Sequence, residues 1–363
     1  MNPFLPTLYT TVPLVEKLKS YGGHIYELSE SYKPVHASVS LREPLSPLTP
    51  ANQFNLRQWL VDAGPALQIS LQSGLLHWGG HCLYESNLQN KTRIQGSISA
   101  FLHRPPGYWH RYRAPISSSE PLTLLSSHNN PNYFHWLTQP GFASLFLQEH
   151  FGLRPFSTVA LSHRPRRLIP NFVPELLDVF ATGKARIYGV ALTSSSLARF
   201  AIQDHGSEVV VSPAQVHWLH RRCRDFLKPA PKPWRKLYIS RRRTLSRRCL
   251  NENHIITHLK RYGFEAICLE DFTVMDQLRI FSESILVVGA HGAGFSNLIA
   301  CTSQAAIIEL LPRPGSFTHY YAMADILGLT HGHLMATRCD PETDDFTISP
   351  DDLIELLRKM KLL

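Results

Sequence analysis

The sequence predicts an α/β protein in which parallel strands are covered by helices on both faces, and three observations carry that prediction. From Pro121 onward, short apolar runs of strand length alternate with longer segments at helical spacing, joined by brief connections. The alternation continues on both sides of Lys228-Pro-Ala-Pro-Lys-Pro-Trp234, whose three prolines exclude helix and central strand. Finally, Ser284-Ile-Leu-Val-Val-Gly-Ala-His-Gly-Ala-Gly-Phe-Ser-Asn-Leu-Ile299 reads as strand, tight turn and helix.

The first 120 residues differ from the rest. Ala66–Leu71 and Gly74–Trp78 are short alternating stretches between Gly, Asn and Ser, which suggests a β-rich segment of small antiparallel strands. Residues 121–228 then read as a first βα domain. Leu122–Leu125 is a strand, and Tyr133–Phe151 is a helix interrupted at Pro140-Gly141. Val159–Leu161 is a short strand and Pro174–Phe180 a short helix. Arg186–Val190 and Glu208–Val211 are further strands, and Pro213 opens a helix to Leu227.

Residues 235–335 form the second βα domain. Lys236–Ser240 is a strand. Asn251–Tyr262 is a helix with Asn251 as its N-cap and Gly263 as its stop. Strand Phe264–Leu269, helix Thr273–Ser282, strand Ile285–Val288, strand Ala306–Leu311 and helix His319–Leu327 follow. Residues 336–363 add a strand and an amphipathic helix that starts at Ser349-Pro350.

At 363 residues the chain is long enough for two domains. No apolar run approaches the ~18 residues of a membrane span. Met1-Asn-Pro-Phe-Leu-Pro6 lacks the layout of a secretory signal, and the six cysteines form no C-x-x-C pair. The expected location is therefore the cytoplasm. The net charge of +9, from 37 Lys+Arg against 28 Asp+Glu, points to an anionic partner. A phosphorylated metabolite and an acidic membrane surface both fit, the latter as a peripheral contact at the inner face. Arg241–Arg248 is the densest basic run, but no nucleic-acid signature accompanies it, so no nucleic-acid partner is expected. The 19 histidines form no metal-ligand spacing.

In open parallel sheets, ligands sit beyond the carboxyl ends of the strands. Three groups of the second domain occupy such ends. Ser240 and Arg241 follow one strand, and His291-Gly292-Ala293-Gly294 follows another. Glu309 closes Ile307-Ile-Glu309. A guanidinium can fork onto diphosphate oxygens. Glycine-turn amides and a helix N-terminus suit the same phosphates, and a carboxylate can accept from ribose hydroxyls. Read singly, Arg241 can equally be a surface charge and Glu309 a water-facing strand end. In the first domain, Asn132, Tyr133, His135 and Trp136 lie where a turn-rich stretch enters a helix just after a strand. A neutral His135 there can act as a general base or simply pack the helix start.

Taken in order, N-Y-F-H-W-L (132–137), Y-I-S-R (238–241) with R-R-C-L-N-E (247–252), G-A-H-G-A-G-F-S-N (289–297) and I-I-E-L (307–310) resemble the family-61 glycosyltransferases, including bacterial capsular polysaccharide biosynthesis proteins. The resemblance spans about residues 120–335. It implies a GT-B architecture, with two Rossmann-like domains facing across a cleft behind the β-rich N-terminal segment. It further implies inverting transfer from a nucleotide sugar to a glycan or lipid-linked glycan, in polysaccharide biosynthesis, with no metal and no cofactor beyond the donor. On that model residues 121–228 bind the acceptor, through Asn132, Tyr133 and Trp136, with His135 as base. Residues 235–335 bind the donor, through Ser240, Arg241, the His291–Gly294 turn and Glu309, with His291 directed to the donor sugar or to the phosphates. One departure stands out, since the family commonly carries an acidic residue where this chain has Gln139. A polysaccharide pyruvyl transferase on the same scaffold, or a nucleotide-sugar binder without catalysis, are the alternatives.

Overall fold

The alternation read from the sequence closes into four sheets and eight α-helices among the described residues of the computed structural model. Those residues are 15, 24–41, 54–63, 67–70, 75–78, 81–85, 95–96, 116–125, 132–138, 140–162, 170–181, 185–189, 192–194, 197–204, 211–227, 233–313 and 318–363. The chain divides into two compact units, one of residues 1–30 and 55–215, the other of residues 31–54 and 216–363. The division falls inside a helix near residue 215 rather than at the proline cluster, of which 228–232 lie outside the described residues.

In the first unit the strands are β1 (His24–Tyr32), β2 (Phe54–Ala63), β3 (Leu67–Ser70), β4 (Leu75–Trp78), β5 (His81–Glu85), β6 (Gln95–Gly96), β7 (Ile116–Ser118), β8 (Leu122–Leu125), β9 (Ser157–Ser162), β10 (Ala185–Gly189), β11 (Leu192–Ser194) and β12 (Ala198–Asp204). The main sheet runs β1-β2-β12-β8-β9-β10, with β6 also pairing β12. Pairs β12/β8, β8/β9 and β9/β10 are parallel. A smaller sheet, β5-β4-β3-β11-β7, is antiparallel except for β11/β7.

Strand β12 was not expected from sequence. Arg199 and Gln203 break its apolar pattern, yet both are buried and satisfied. Arg199 forks onto Asp62 at 2.6 and 2.7 Å and donates to Gln148 at 3.0 Å. Gln203 donates to Gln58 at 2.7 Å. Paired in this way, polar side chains can occupy a central strand without the desolvation cost of lone ones. Of the strand expected at Glu208–Val211, only Val211 is among the described residues. Val211 is buried two residues before the helix that Pro213 opens, and 208–210 lie outside the described residues.

Four helices accompany this unit: α1 (Tyr133–Thr138), α2 (Pro140–His150), α3 (Phe172–Phe180) and α4 (Pro213–Phe226), the last crossing into the second unit. The helix expected over Tyr133–Phe151 is thus two. A side chain at Gly141 would sit 2.7 Å from the Trp136 carbonyl carbon, so only glycine allows α2 to start so close to α1.

The second unit holds one five-stranded, fully parallel sheet: β13 (Arg235–Ile239), β14 (Phe264–Ile267), β15 (Ser284–Ala290), β16 (Ala306–Leu311) and β17 (Thr330–Met335). Its order is β14-β13-β15-β16-β17, the doubly wound 2-1-3-4-5 arrangement, which is compatible with a Rossmann-like fold. Helices α5 (Glu252–Lys260), α6 (Val274–Ser282), α7 (His319–Ile326) and α8 (Pro350–Lys359) accompany it. Strands β15 and β16 are buried almost throughout, as a sheet covered on both faces requires. A short pair, β18 (Arg338–Cys339) and β19 (Phe346–Thr347), precedes α8.

Two details differ from the sequence reading. Asn251 stands at the N-cap position of α5, but its side chain does not cap. It instead clamps Ile348, donating to the carbonyl at 2.7 Å and accepting from the amide at 3.1 Å. The segment after β15 is a 3-10 helix over Ala293–Ala300, not an α-helix. Ser349 does cap α8, accepting from the Asp352 amide at 3.2 Å, with Pro350 in the first turn. Ser349→Ala is expected to cost about 1 kcal/mol in urea unfolding.

Residues 31–40 strap the second unit. Val39 bridges Gly332 in parallel, beside β17. The Asp325 carboxylate accepts from Tyr32 Oη at 2.7 Å and from the amides of Val35 and His36 at 3.0 and 2.8 Å. Burial acts to raise its pKa, but the Val35 amide, Tyr32, and the His36 amide and ring together hold it below the ordinary 3.8. The stability that Asp325 lends is therefore present above that value and lost as pH falls through the folded pKa. Amide exchange at Val35 and His36 should accelerate below about pH 4, and Asp325→Asn should remove the pH step.

Candidate functional site

Neighbouring strands β13 and β15 leave in opposite directions. The chain from β13 goes to β14 on one side, and the chain from β15 goes to β16 on the other. That divergence is the topological switch point, where open α/β sheets bind ligands. The two loops that leave it are Ser240–Arg248 and His291–Gly294. They touch, because a Cβ built on Gly292 would sit 2.8 Å from the guanidinium carbon of Arg241. The glycine is needed for that close approach. Another cavity, of about 270 Å³, is lined by His220, Cys223, Ser282, Cys301 and Thr302 near the amino-terminal ends of β15 and β16. Sheets of this kind do not bind their principal ligands there.

Ser240 and Arg241 are set by a residue to which the sequence reading gave no role. Glu252, at the start of α5, accepts from Ser240 Oγ at 2.8 Å and from the Arg241 amide at 3.3 Å. Ser240 Oγ also accepts from the Arg242 amide at 3.3 Å. The Ser240 hydroxyl thus shapes the turn, and its donor hydrogen is committed to Glu252.

Arg241 is mostly buried, and its Nη2 donates to the Ser246 carbonyl at 3.2 Å. Its Nε has no partner, and no carboxylate pairs with it among the described residues. Burial, and then the charge of Arg247, lower its pKa to about 10, so it stays a cation at neutral pH. A buried cation without a counter-charge is costly unless an anion arrives.

Arg247 adopts a left-handed backbone, φ 56°, which non-glycine residues rarely do. The loop around it is tied down on both sides. Thr244 Oγ1 donates to the Arg241 and Ser246 carbonyls at 2.9 and 3.0 Å. The Arg247 amide donates to Thr343 at 3.0 Å, and Arg248 forks onto Asp345 at 2.6 and 2.9 Å. Most of the basic run is accordingly engaged, Arg243 pairing with Asp271 as well.

Glu309 is not at a water-facing strand end. It is 1% exposed, inside β16, and it hydrogen-bonds to Nδ1 of His291, itself 2% exposed. His331 Nε2 of β17 lies 3.4 Å from its other oxygen. Behind them, Ser38 Oγ bridges Nδ1 of His331 at 2.7 Å and Nδ1 of His333 at 2.8 Å. The rings of His319 and Tyr320, on α7, each lie 5.0 Å from the His291 ring. Burial, outweighing Glu309, lowers the pKa of His291, and Arg247 and Arg241 lower it further. Burial alone would raise that of Glu309, but His291 and His331 bring it well below the carboxylate range. Burial thus favours the neutral form of His291, and since a carboxylate only accepts, Nδ1 is the donor in the bond between them. His319, Tyr320, His331 and Ser38 were not found from sequence, since no spacing links residues that the sheet alone brings together.

The first-unit candidates share one short helix. Asn132 caps α1, accepting from the Phe134 amide at 2.9 Å. Tyr133 is buried against Phe172, with ring centres 5.2 Å apart, and Trp136 is 1% exposed against Phe142. These aromatics are packing residues that hold α1. His135, like Asn132, is only partly buried, and its ring stands edge-on to Phe134. Gln139 lies outside the described residues.

Comparisons with known proteins agree with this geometry. The family model described as Glycosyltransferase 61 matches residues 59–308, starting within β2 and well upstream of the resemblance noted from the motifs. A 101-residue stretch is 34% identical to alpha-1,3-arabinosyltransferase XAT2 of Oryza sativa subsp. japonica, covering 25% of this chain and 17% of that protein. A 100-residue stretch is 31% identical to the EGF domain-specific O-linked N-acetylglucosamine transferase of Pan troglodytes, covering 26% and 19%. A 75-residue stretch is 28% identical to beta-1,2-xylosyltransferase of Arabidopsis thaliana, covering 20% and 14%. The aligned stretches thus span under one fifth of the length of each of these relatives. With a family match over more than half of its length, and the switch-point loops built from the residues that carry the motifs, the chain belongs to glycosyltransferase family 61.

Proposed function

We propose that this protein is an inverting glycosyltransferase that moves a sugar from a nucleotide-sugar donor to a hydroxyl of a glycan or lipid-linked glycan. A GT-B arrangement and a role in polysaccharide synthesis belong to the same reading. One observation carries it: Arg241 is a largely buried cation with no carboxylate in direct contact among the described residues, placed at the switch point against the backbone of Gly292. A diphosphate supplies the missing charge. Arg247, whose charge bears on both Arg241 and His291, serves as a second cation there.

Inverting transfer needs a base for the attacking hydroxyl, cations for the departing diphosphate, and in-line alignment. Arg241 and Arg247 supply the cations, which lets the leaving group depart without a metal. His135 is the base candidate. The sugars in the names of the relatives, arabinose, xylose and N-acetylglucosamine, define the first donors to try.

The test is a thermal-shift screen of nucleotide sugars followed by transfer assays, because a ligand of the native state raises apparent stability. A donor that shifts the wild type but not Arg241→Ala supports the reading. Phosphoenolpyruvate binding without any nucleotide-sugar binding would move the protein to pyruvyl transfer. Donor binding without hydrolysis or transfer would leave a binding protein.

A further inference from the structure

The loop after β13 bends back at Arg247, whose φ of 56° is a conformation that a non-glycine residue keeps only where its surroundings impose it. The groups that impose it come from the β18–β19 hairpin, which lies beyond the residues matched by the family model. In the turn between the two strands, the Thr343 carbonyl accepts from the Arg247 amide at 3.0 Å. The buried carboxylate of Asp345 accepts from the Arg248 amide at 2.8 Å and from its guanidinium at 2.6 and 2.9 Å. The backbones then join. The Phe346 amide donates to the Arg248 carbonyl at 2.9 Å, and the Leu250 amide donates to the Phe346 carbonyl at 2.7 Å. Asn251 closes the seam on Ile348.

The hold reaches Arg241 through one atom. Ser246 directly precedes the fastened segment, and its carbonyl accepts from Arg241 Nη2 at 3.2 Å and from Thr244 Oγ1 at 3.0 Å. It is the acceptor of the Arg241 guanidinium among the described residues, and that guanidinium lies against Gly292. A free arginine loses rotamer freedom when it binds an anion, and one that is already held loses less.

We propose that the β18–β19 hairpin is a positioning element of the anion site. Asp345, through Arg248, and the Thr343 carbonyl, through the Arg247 amide, fix the Ser246 carbonyl where it keeps Arg241 against Gly292, ready for the diphosphate of a nucleotide sugar. This rests on the glycosyl-transfer reading and adds to it residues that touch no ligand. The sign of the effect separates positioning from charge. The charge of Asp345 bears on Arg241, and a carboxylate near the site repels an anion, so its removal would tighten anion binding by field alone. Positioning demands the opposite.

The first measurement needs no ligand. Nitrogen-15 relaxation of the arginine Nε–H groups, with Arg241 assigned through Arg241→Ala, should show an ordered Arg241 side chain in the wild type and a mobile one in Asp345→Ala. If that variant does not fold, Arg248→Ala breaks the same clasp from its more exposed side and is read in its place. An Arg241 that is mobile in the wild type, or equally ordered in the folded variant, overturns the proposal. The second measurement is a double-mutant cycle in pyrophosphate affinity, by calorimetry, over wild type, Asp345→Ala, Arg241→Ala and the two together. Asp345→Ala should weaken pyrophosphate about tenfold at unchanged stoichiometry, and should add almost nothing once Arg241 is gone, because residues of one network are not additive. Nucleotide-sugar KM should rise with kcat kept. A loosened fold would instead lower the stoichiometry or cost the same in both backgrounds. Either result overturns the proposal, as does unchanged or tighter binding in Asp345→Ala. A wild type that binds no pyrophosphate, beside an Arg241 ordered only when Asp345 is present, would count against the diphosphate reading and not against the positioning.

Discussion

Arg241→Ala should weaken nucleotide-sugar binding by about 1.5–3 kcal/mol, the scale of a charge-assisted hydrogen bond, or roughly 10- to 150-fold in Kd. Gly292→Val should abolish it. The reason lies in what a side chain at 292 would meet, namely the tip of the Arg241 side chain, its guanidinium carbon only 2.8 Å from a new Cβ. A flexible arginine can swing away, so the fold should survive. The cation, however, is then pushed out of the switch point and the glycine backbone is covered. Gly292→Ala should fall between the two variants. Isothermal calorimetry on folded proteins checks the series. Unchanged affinity in both Arg241→Ala and Gly292→Val would mean that the phosphates bind elsewhere.

His135→Ala should lower turnover by ~10²–10⁴-fold, the usual contribution of a positioned base. Donor affinity should stay nearly constant, because the donor candidates are all in the second unit and His135 is in the first. Wild-type rate should fall as acid protonates the ring, since an imidazolium cannot accept a proton. His135→Ala should lose that limb of the pH profile. The placement on α1 favours the test, because Tyr133, Phe134 and Trp136 are buried and fix the helix while His135 is left half-exposed. Gln139 strengthens the case, since an amide cannot act as the base that an acid at that position would provide. Full activity in a folded His135→Ala variant would send the search to carboxylates of the first unit. Loss of donor binding would recast His135 as a sugar or phosphate contact.

Local pattern was enough to determine the parallel sheet of the second unit. Strands β13, β15 and β16 carry the apolar stretches Leu237–Ile239, Ile285–Val288 and Ala306–Ile308, and α8 carries its own cap and first-turn proline, so each element is specified by neighbours within a few residues. The same local signals located the Ser240–Arg241 and His291–Gly294 loops, because glycines, and an arginine opening a basic run after a strand, are visible without tertiary knowledge. Tertiary structure alone decided what those residues face. Glu309 looked like a strand end, yet register places it opposite Gly289 and His333, deep in the sheet. It needs buried polar partners there, and it finds His291 as a hydrogen-bond partner and the His331 Nε2 3.4 Å away. Ser38 and Glu252 act from distant or unmarked positions, so no periodicity could reveal them. Strand β12 was hidden for the same reason. An arginine in a central strand is unreadable until Asp62, 137 residues away in the chain, arrives to neutralise it.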